Sequence, residues 1–186
     1  MFNEFASQKR EKRADRQRMQ ERDDRAQQAR RDLYARLNTT ARAYRVAARD
    51  VVRAAERGED VESAVLDAAQ EAWAEEYSQA QMALSKDVLE VTSALNRALG
   101  VGYAVAKHLP SSLSPSAAYS RAHTWFSGPL SDGVYLLRVT LRHDLGVEVQ
   151  PDFERSRMRA LAALDSERRA LERQLASEQI ETSRSA

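Results

Sequence analysis

Apolar positions in this chain recur at helical spacing over long stretches with few interruptions. Tyr34, Leu37, Ala41, Tyr44, Ala48, Val51 and Ala55 advance by alternating steps of three and four, so they form one stripe on a helix and predict a packing face. Gly58 follows as a stop signal, and Asp60 is placed to cap a following helix by accepting from its first free N–H groups. The second stripe runs through Leu66, Ala69, Trp73, Tyr77, Ala80, Leu84, Val88, Val91, Leu95 and Ala98. It predicts one helix of about 40 residues, ~60 Å long at 1.5 Å rise per residue, ending or bending at Gly100-Val101-Gly102. Together the two stripes predict a long antiparallel hairpin, about 10–57 and 60–99, with Tyr34, Leu37, Tyr44, Trp73, Tyr77 and Leu84 in its core.

Shorter elements follow. Ser114 before Pro115 reads as the cap and first residue of a helix to about Phe126, because proline lacks an N–H that a first turn leaves unpaired anyway. Ser127-Gly128-Pro129 breaks it. Residues 133–146 carry Val134, Leu137, Leu141 and Leu145 at helical spacing, whereas Tyr135, Val139, Thr140 and the alternation in LGVEV also suit a hairpin; the helix is the preferred reading. Pro151 opens a terminal amphipathic helix, 152–180, striped by Met158, Leu161, Leu164, Leu171 and Leu175. The last residues, 181–186, read as a disordered tail. The expected fold is therefore all-α: a coiled-coil-like hairpin packed with shorter helices into an elongated bundle.

Composition narrows the class. Four Pro and six Gly in 186 residues leave few places to end a helix, and 31% charged with 6% aromatic residues suits long helices better than an all-β core. The absence of cysteine removes disulfides, thiol nucleophiles and Cys-ligated metals. No run approaches the ~20 apolar residues of a membrane span, and MFNEFASQKREKR lacks the apolar stretch of a secretory signal, so a cytoplasmic protein is expected. The net charge of +1 conceals a polarity: residues 1–50 hold 14 basic and 8 acidic side chains, residues 51–100 hold 4 and 10. Antiparallel helices can satisfy that difference internally.

Residues 1–32 form a separate charged region, expected as a helical extension or a flexible arm. No face between Lys9 and Asp32 can bury itself, while Arg, Gln, Glu and Ala favour helix. The domain reading is thus 1–32, a bundle over 33–150, the helix 151–180 and the tail.

Chemistry is sparse. His108, His123 and His143 lie 15 and 20 residues apart, and Val105, Ser120 and Thr140 stand three residues before them, so neither an H-x-x-H nor the E-x-x-H pair of carboxylate-bridged metal bundles exists. Gly100-x-Gly102 follows a helix and is too short for a dinucleotide fingerprint; no G-x-S-x-G elbow occurs. No catalytic, cofactor or metal residue is assigned, and the expected activity is non-enzymatic: self-association or binding of a protein partner. The candidate surfaces are the stripe Met158, Leu161, Leu164, Leu171 and Leu175, and Trp125 and Phe126 in the low-charge middle of the chain. The competing expectation is nucleic-acid association through Lys9, Arg10, Lys12, Arg13, Arg16, Arg18, Arg22 and Arg25, whose cations could meet phosphates. Seven acidic residues offset ten basic ones over 1–32, and no aromatics interleave for base stacking.

The stretch RRDLYARLNTTARAYRVAARDV, the acidic helix after it and RVTLRHDLGV resemble a loose group of actinobacterial helical proteins, and 25 Arg to 4 Lys suits a high-GC genome. The resemblance implies an Arg/Glu-rich stalk leading into an antiparallel bundle over about residues 10–147. Members commonly begin with a transmembrane helix, where this chain has MFNEFASQ. The helix from Pro151 to Ile180 is a further departure and hints at self-association.

Overall fold

In the computed structural model the described backbone covers residues 2–59, 63–109, 114–148 and 150–185, and the described side chains are those of 13–59, 64–109, 114–148, 150–178 and 180. The chain is all-α: six helices, α1 (Phe2–Glu56), α2 (Ser63–Ala80), α3 (Lys86–His108), α4 (Pro115–Ser127), α5 (Pro129–Asp144) and α6 (Phe153–Ser185), account for the regular structure among the described residues. Two compact units divide it, Met1–Ala35 and Arg36–Ala186.

The first unit is the opening stretch of α1. From Arg13 to Ala29 its side chains are exposed on every helical face. Its polar links are local: Gln28 Nε2 donates to Asp32 at 2.8 Å, Arg25 pairs with Glu21 at 3.9 Å, and Arg30 Nε donates to the Tyr34 hydroxyl at 3.1 Å. Such i,i+4 pairs each add a few tenths of a kcal/mol to a helix without requiring a core. The expected cap Asp60 and the side chains of Lys9, Arg10 and Lys12 lie outside the described residues.

In the second unit the rest of α1 buries Leu37, Ala41, Tyr44, Ala48 and Val52. The expected stripe is followed as far as Ala48 and then moves from Val51 to Val52. A straight helix has 3.6 residues per turn, so a strict 3.5 repeat drifts about 20° per heptad and the packing face passes to the next residue. Gly58 ends the helix at φ +70°, with its N–H on the Ala55 carbonyl and that of Glu59 on the Ala54 carbonyl, both at 3.0 Å. This is the Schellman cap that the left-handed glycine permits.

The expected 40-residue second helix is two helices. A turn at Gln81–Ser85 separates α2 from α3, and they pack antiparallel: Asp67 meets Tyr103 and Lys107, the Trp73 indole N–H donates to Asn96 at 2.8 Å, and the Tyr77 hydroxyl meets Ser93 at 3.0 Å. The hydrophobic period persists through the turn because both helices offer a face to the same core. Ser85 precedes α3, and its hydroxyl donates to Asp144 at the end of α5 instead of capping its own helix. The glycines at 100 and 102 are not a boundary, since α3 runs through them to His108. At Gly102 a Cβ would come within 3.1 Å of the Phe126 ring and 3.3 Å of the Trp125 indole, so the missing side chain is what lets the helices touch.

Up to Asp144 the stretch 133–146 belongs to a helix, α5, which runs antiparallel to α3 and buries Leu130, Leu136, Leu137, Val139 and Leu141. The start of the strand-like LGVEV is its end, the last residue of that run lying outside the described residues: Gly146 at φ +69° repeats the cap seen at Gly58, with the Val147 N–H on the Arg142 carbonyl. The terminal helix starts at Phe153 and continues to Ser185, past the expected end at 180, so the tail is helical over its described part. It packs against α3 and α5 within the second unit, running parallel to α3.

Candidate interaction groove

The seam between α5 and α6 opens into a groove of about 520 Å³. One wall is α5, with Asp132, Tyr135, Leu136 and Val139; the other is α6, with Ser156, Ala160, Ala163 and Glu167 four or three residues apart on one face. Phe153 and Gln150 border it where the two helices connect. The groove exists because α6 presents small side chains where α5 presents larger ones, so the helices meet through Gly133 and Leu164 beneath and stay apart above. A Cβ on Gly133 would stand 3.1 Å from Leu164 and 3.3 Å from Leu95.

Arg157 fixes this geometry. Only 4% of its side chain is exposed, and it is held by Glu90 and Asp87 of α3 and Glu154 of α6, the last two at 3.3 and 2.6 Å. The guanidinium's hydrogen bonds hold the Glu154 carboxyl below the usual carboxylate range, and those same bonds raise Arg157 above the ordinary arginine value. Beside it the His143 and Phe153 rings stack with centroids 3.8 Å apart, and His143 Nδ1 lies 3.0 Å from the Glu148 carbonyl oxygen. By contrast, Asp132 and Glu167, at the groove's edge, have no cation within 4 Å among the described residues.

The residues expected at a partner surface distribute unevenly. Leu164 and Leu171 are buried beneath α6, and Trp125 and Phe126 are buried against α3, so these four are core. Leu161 and Leu175 are half-buried, Leu175 in a shallower seam between α3 and α6. Met158 is exposed and does not line the groove. An isolated stripe cannot say which side meets its own chain, and here the leucines were taken by α3 and α5. Tyr135, 55% exposed on the groove wall, was missed; its signal was the helical reading of α5, which places it one turn from Asp132 and Val139.

Convergent chemistry is absent among the described residues. No group of three His, Asp or Glu there could hold a metal ion. His123 Nε2 meets Glu56 at 2.7 Å, while His143 is engaged by Phe153 and the Glu148 carbonyl. Tyr44 is pushed above the usual tyrosine range, first by burial and then by Tyr103 and Asp67, so its hydroxyl stays protonated. In the first unit Arg13, Arg16, Arg18, Arg22 and Arg25 are all exposed, with Asp15 3.8 Å from Arg18. No described helix is long and apolar enough to cross a membrane. Compared with known proteins, the chain matches no family model, no curated protein and no solved structure.

Proposed function

We propose that this chain is a non-enzymatic interaction protein whose α5–α6 groove receives an amphipathic helix with apolar anchors and basic flanks. The observation that carries the reading is the groove itself. Its volume lies within the ~300–1,000 Å³ of ligand pockets, its floor is apolar, and two adjacent helices give it the linear form that a helix-in-groove contact uses. The flanks follow from charge: Asp132 and Glu167 stand at the edge with no cation within 4 Å among the described residues, whereas Arg157 is already saturated by carboxylates. A bound helix would bury its anchors against Tyr135, Leu136 and Val139 and set Lys or Arg beside the two acids.

The test uses a fluorescent amphipathic peptide with leucines at i, i+3 and i+7 and lysine flanks, beside a copy with glutamate flanks. The lysine peptide is expected to bind the full-length chain more tightly, and Ala163→Arg, which fills the groove from an exposed position, should abolish binding. Equal affinity for both peptides, or binding unaffected by Ala163→Arg, would overturn the proposal. Light scattering on the same two proteins identifies the helix's source: a dimer lost with Ala163→Arg assigns it to a second copy.

A further inference from the structure

Beyond the groove, a different face of the second unit concentrates positive charge. Arg42, Arg45, Arg49 and Arg53 follow one another on α1 by steps of three, four and four, within an arc of about 80° and over about 16 Å of helix. The face borders α4: Arg45 Nη1 donates to the Phe126 carbonyl at 3.2 Å, the Tyr119 hydroxyl to the Ala55 carbonyl at 3.0 Å, and His123 meets Glu56. Helix α4, PSAAYSRAHTWFS, contains no acidic residue, so it brings no carboxylate to the arginines; its own Arg121 is paired with Glu178.

The compensation is therefore incomplete. Asp50 pairs with Arg49 at 3.0 Å, and Glu56 is turned to His123. Arg42 and Arg53 have no carboxylate within 4 Å among the described residues, and Arg45 Nε is buried with no acceptor in reach there. Burial first, and then the charges of Arg49 and Arg42, lower the Arg45 pKa. Arg157 and Arg168 of α6, in comparison, are each held by carboxylates.

We infer that Arg42, Arg49 and Arg53, in the row along the α1–α4 seam, bind the phosphate backbone of a nucleic-acid duplex, with Arg45 held behind them on the Phe126 carbonyl. A row of cations one helical turn apart suits a linear polyanion, and arginine meets phosphate oxygens through two N–H groups. Arg49 is recessed, with 29% of its side chain exposed, between the exposed Arg42 and Arg53, a line that a strand lying along the seam follows more closely than a flat bilayer does. The described face carries no exposed aromatic for base stacking, and because contacts to phosphates carry no sequence information the binding is independent of sequence.

Fluorescence anisotropy of a short labelled DNA duplex with the full-length chain, between about 50 and 200 mM salt, tests it. Affinity should fall with salt, and Arg42→Gln/Arg49→Gln/Arg53→Gln should flatten the log–log slope by about two to three units, since each phosphate contact contributes about 0.9. The same three positions as lysine should retain most of the slope. Arg42→Glu/Arg53→Glu, at two exposed positions, gives the same answer should the triple variant lose its fold. Undiminished binding by these variants would overturn the inference, as would loss caused instead by changing Arg13, Arg16, Arg18, Arg22 and Arg25 to glutamine. So would a preference for anionic phosphatidylserine vesicles or polyglutamate over the duplex. Groove binding is read independently of all these results, through Ala163 and the lysine-flanked peptide.

Discussion

Between Arg13 and Asp32, and again between Arg36 and Glu56, α1 is built largely of arginine, alanine and acidic residues, yet the first stretch keeps nearly all its side chains in solvent while the second buries Leu37, Ala41, Tyr44, Ala48 and Val52. Helix propensity is similar in both. What differs is the periodic apolar stripe, absent before Leu33. Propensity and local ion pairs suffice to continue a helix, but only a stripe lets it join a core. Carboxylate pairing, by contrast, does not separate the two: Arg18 and Arg25 pair with Asp15 and Glu21 one turn away in the first stretch, and Arg36 and Arg49 pair with Glu76 and Asp50 in the second.

The largest test of this contrast is in the core. Trp73, 1% exposed and hydrogen-bonded to Asn96, should cost about 3 to 5 kcal/mol when changed to alanine, read by denaturant unfolding. A loss below about 1 kcal/mol would place Trp73 outside the cooperative core.

Two glycines on α3, only two residues apart, should then respond in opposite directions. Gly102→Ala forces a methyl against the Phe126 and Trp125 rings and should lower stability by about 1 to 3 kcal/mol. Gly100→Ala meets nothing within 4 Å and should raise it by up to about 1 kcal/mol through helix propensity. Thermal melts of the pair decide whether close packing, and not a helix boundary, explains Gly102.

A smaller effect concerns the Arg157 clamp. Because Glu154 is held below its unfolded value of about 4.3, its contribution is complete above that pH and is lost as pH falls through the lower folded value. The wild-type chain should therefore lose stability more steeply on acidification below about pH 4.5 than Arg157→Met, in which that linkage is removed. Acid titrations of the two proteins, followed by circular dichroism, would refute the clamp if their slopes coincided.

The smallest effect is expected in the first unit. Changing Arg13, Arg16, Arg18 and Arg22 together to glutamine should move the second unit's unfolding by no more than about 0.5 kcal/mol, because each is exposed. A larger shift in the denaturation midpoint would assign these side chains a role in the core's stability.

Periodicity by itself determined that the chain is helical, where most helix faces turn, and that Gly58, Pro115 and Pro129 mark ends; each rests on short-range geometry written in a few adjacent residues. The division of the second helix at Gln81–Ser85 was not legible, because the apolar spacing is the same on both sides and no glycine or proline marks the turn. Gly102 misled for the converse reason: its small size serves a neighbour, Phe126, far along the chain. The same limit governs the surfaces. Sequence showed that Leu164, Leu171, Trp125 and Phe126 need burial, but only the packing of α6 on α3 and α5, and of α4 on α3, decided that their own chain provides it. The groove beside Tyr135 and the arginine row beside an acid-free α4 likewise depend on which helices become neighbours, a choice made by the summed burial of all the stripes and by no one of them alone.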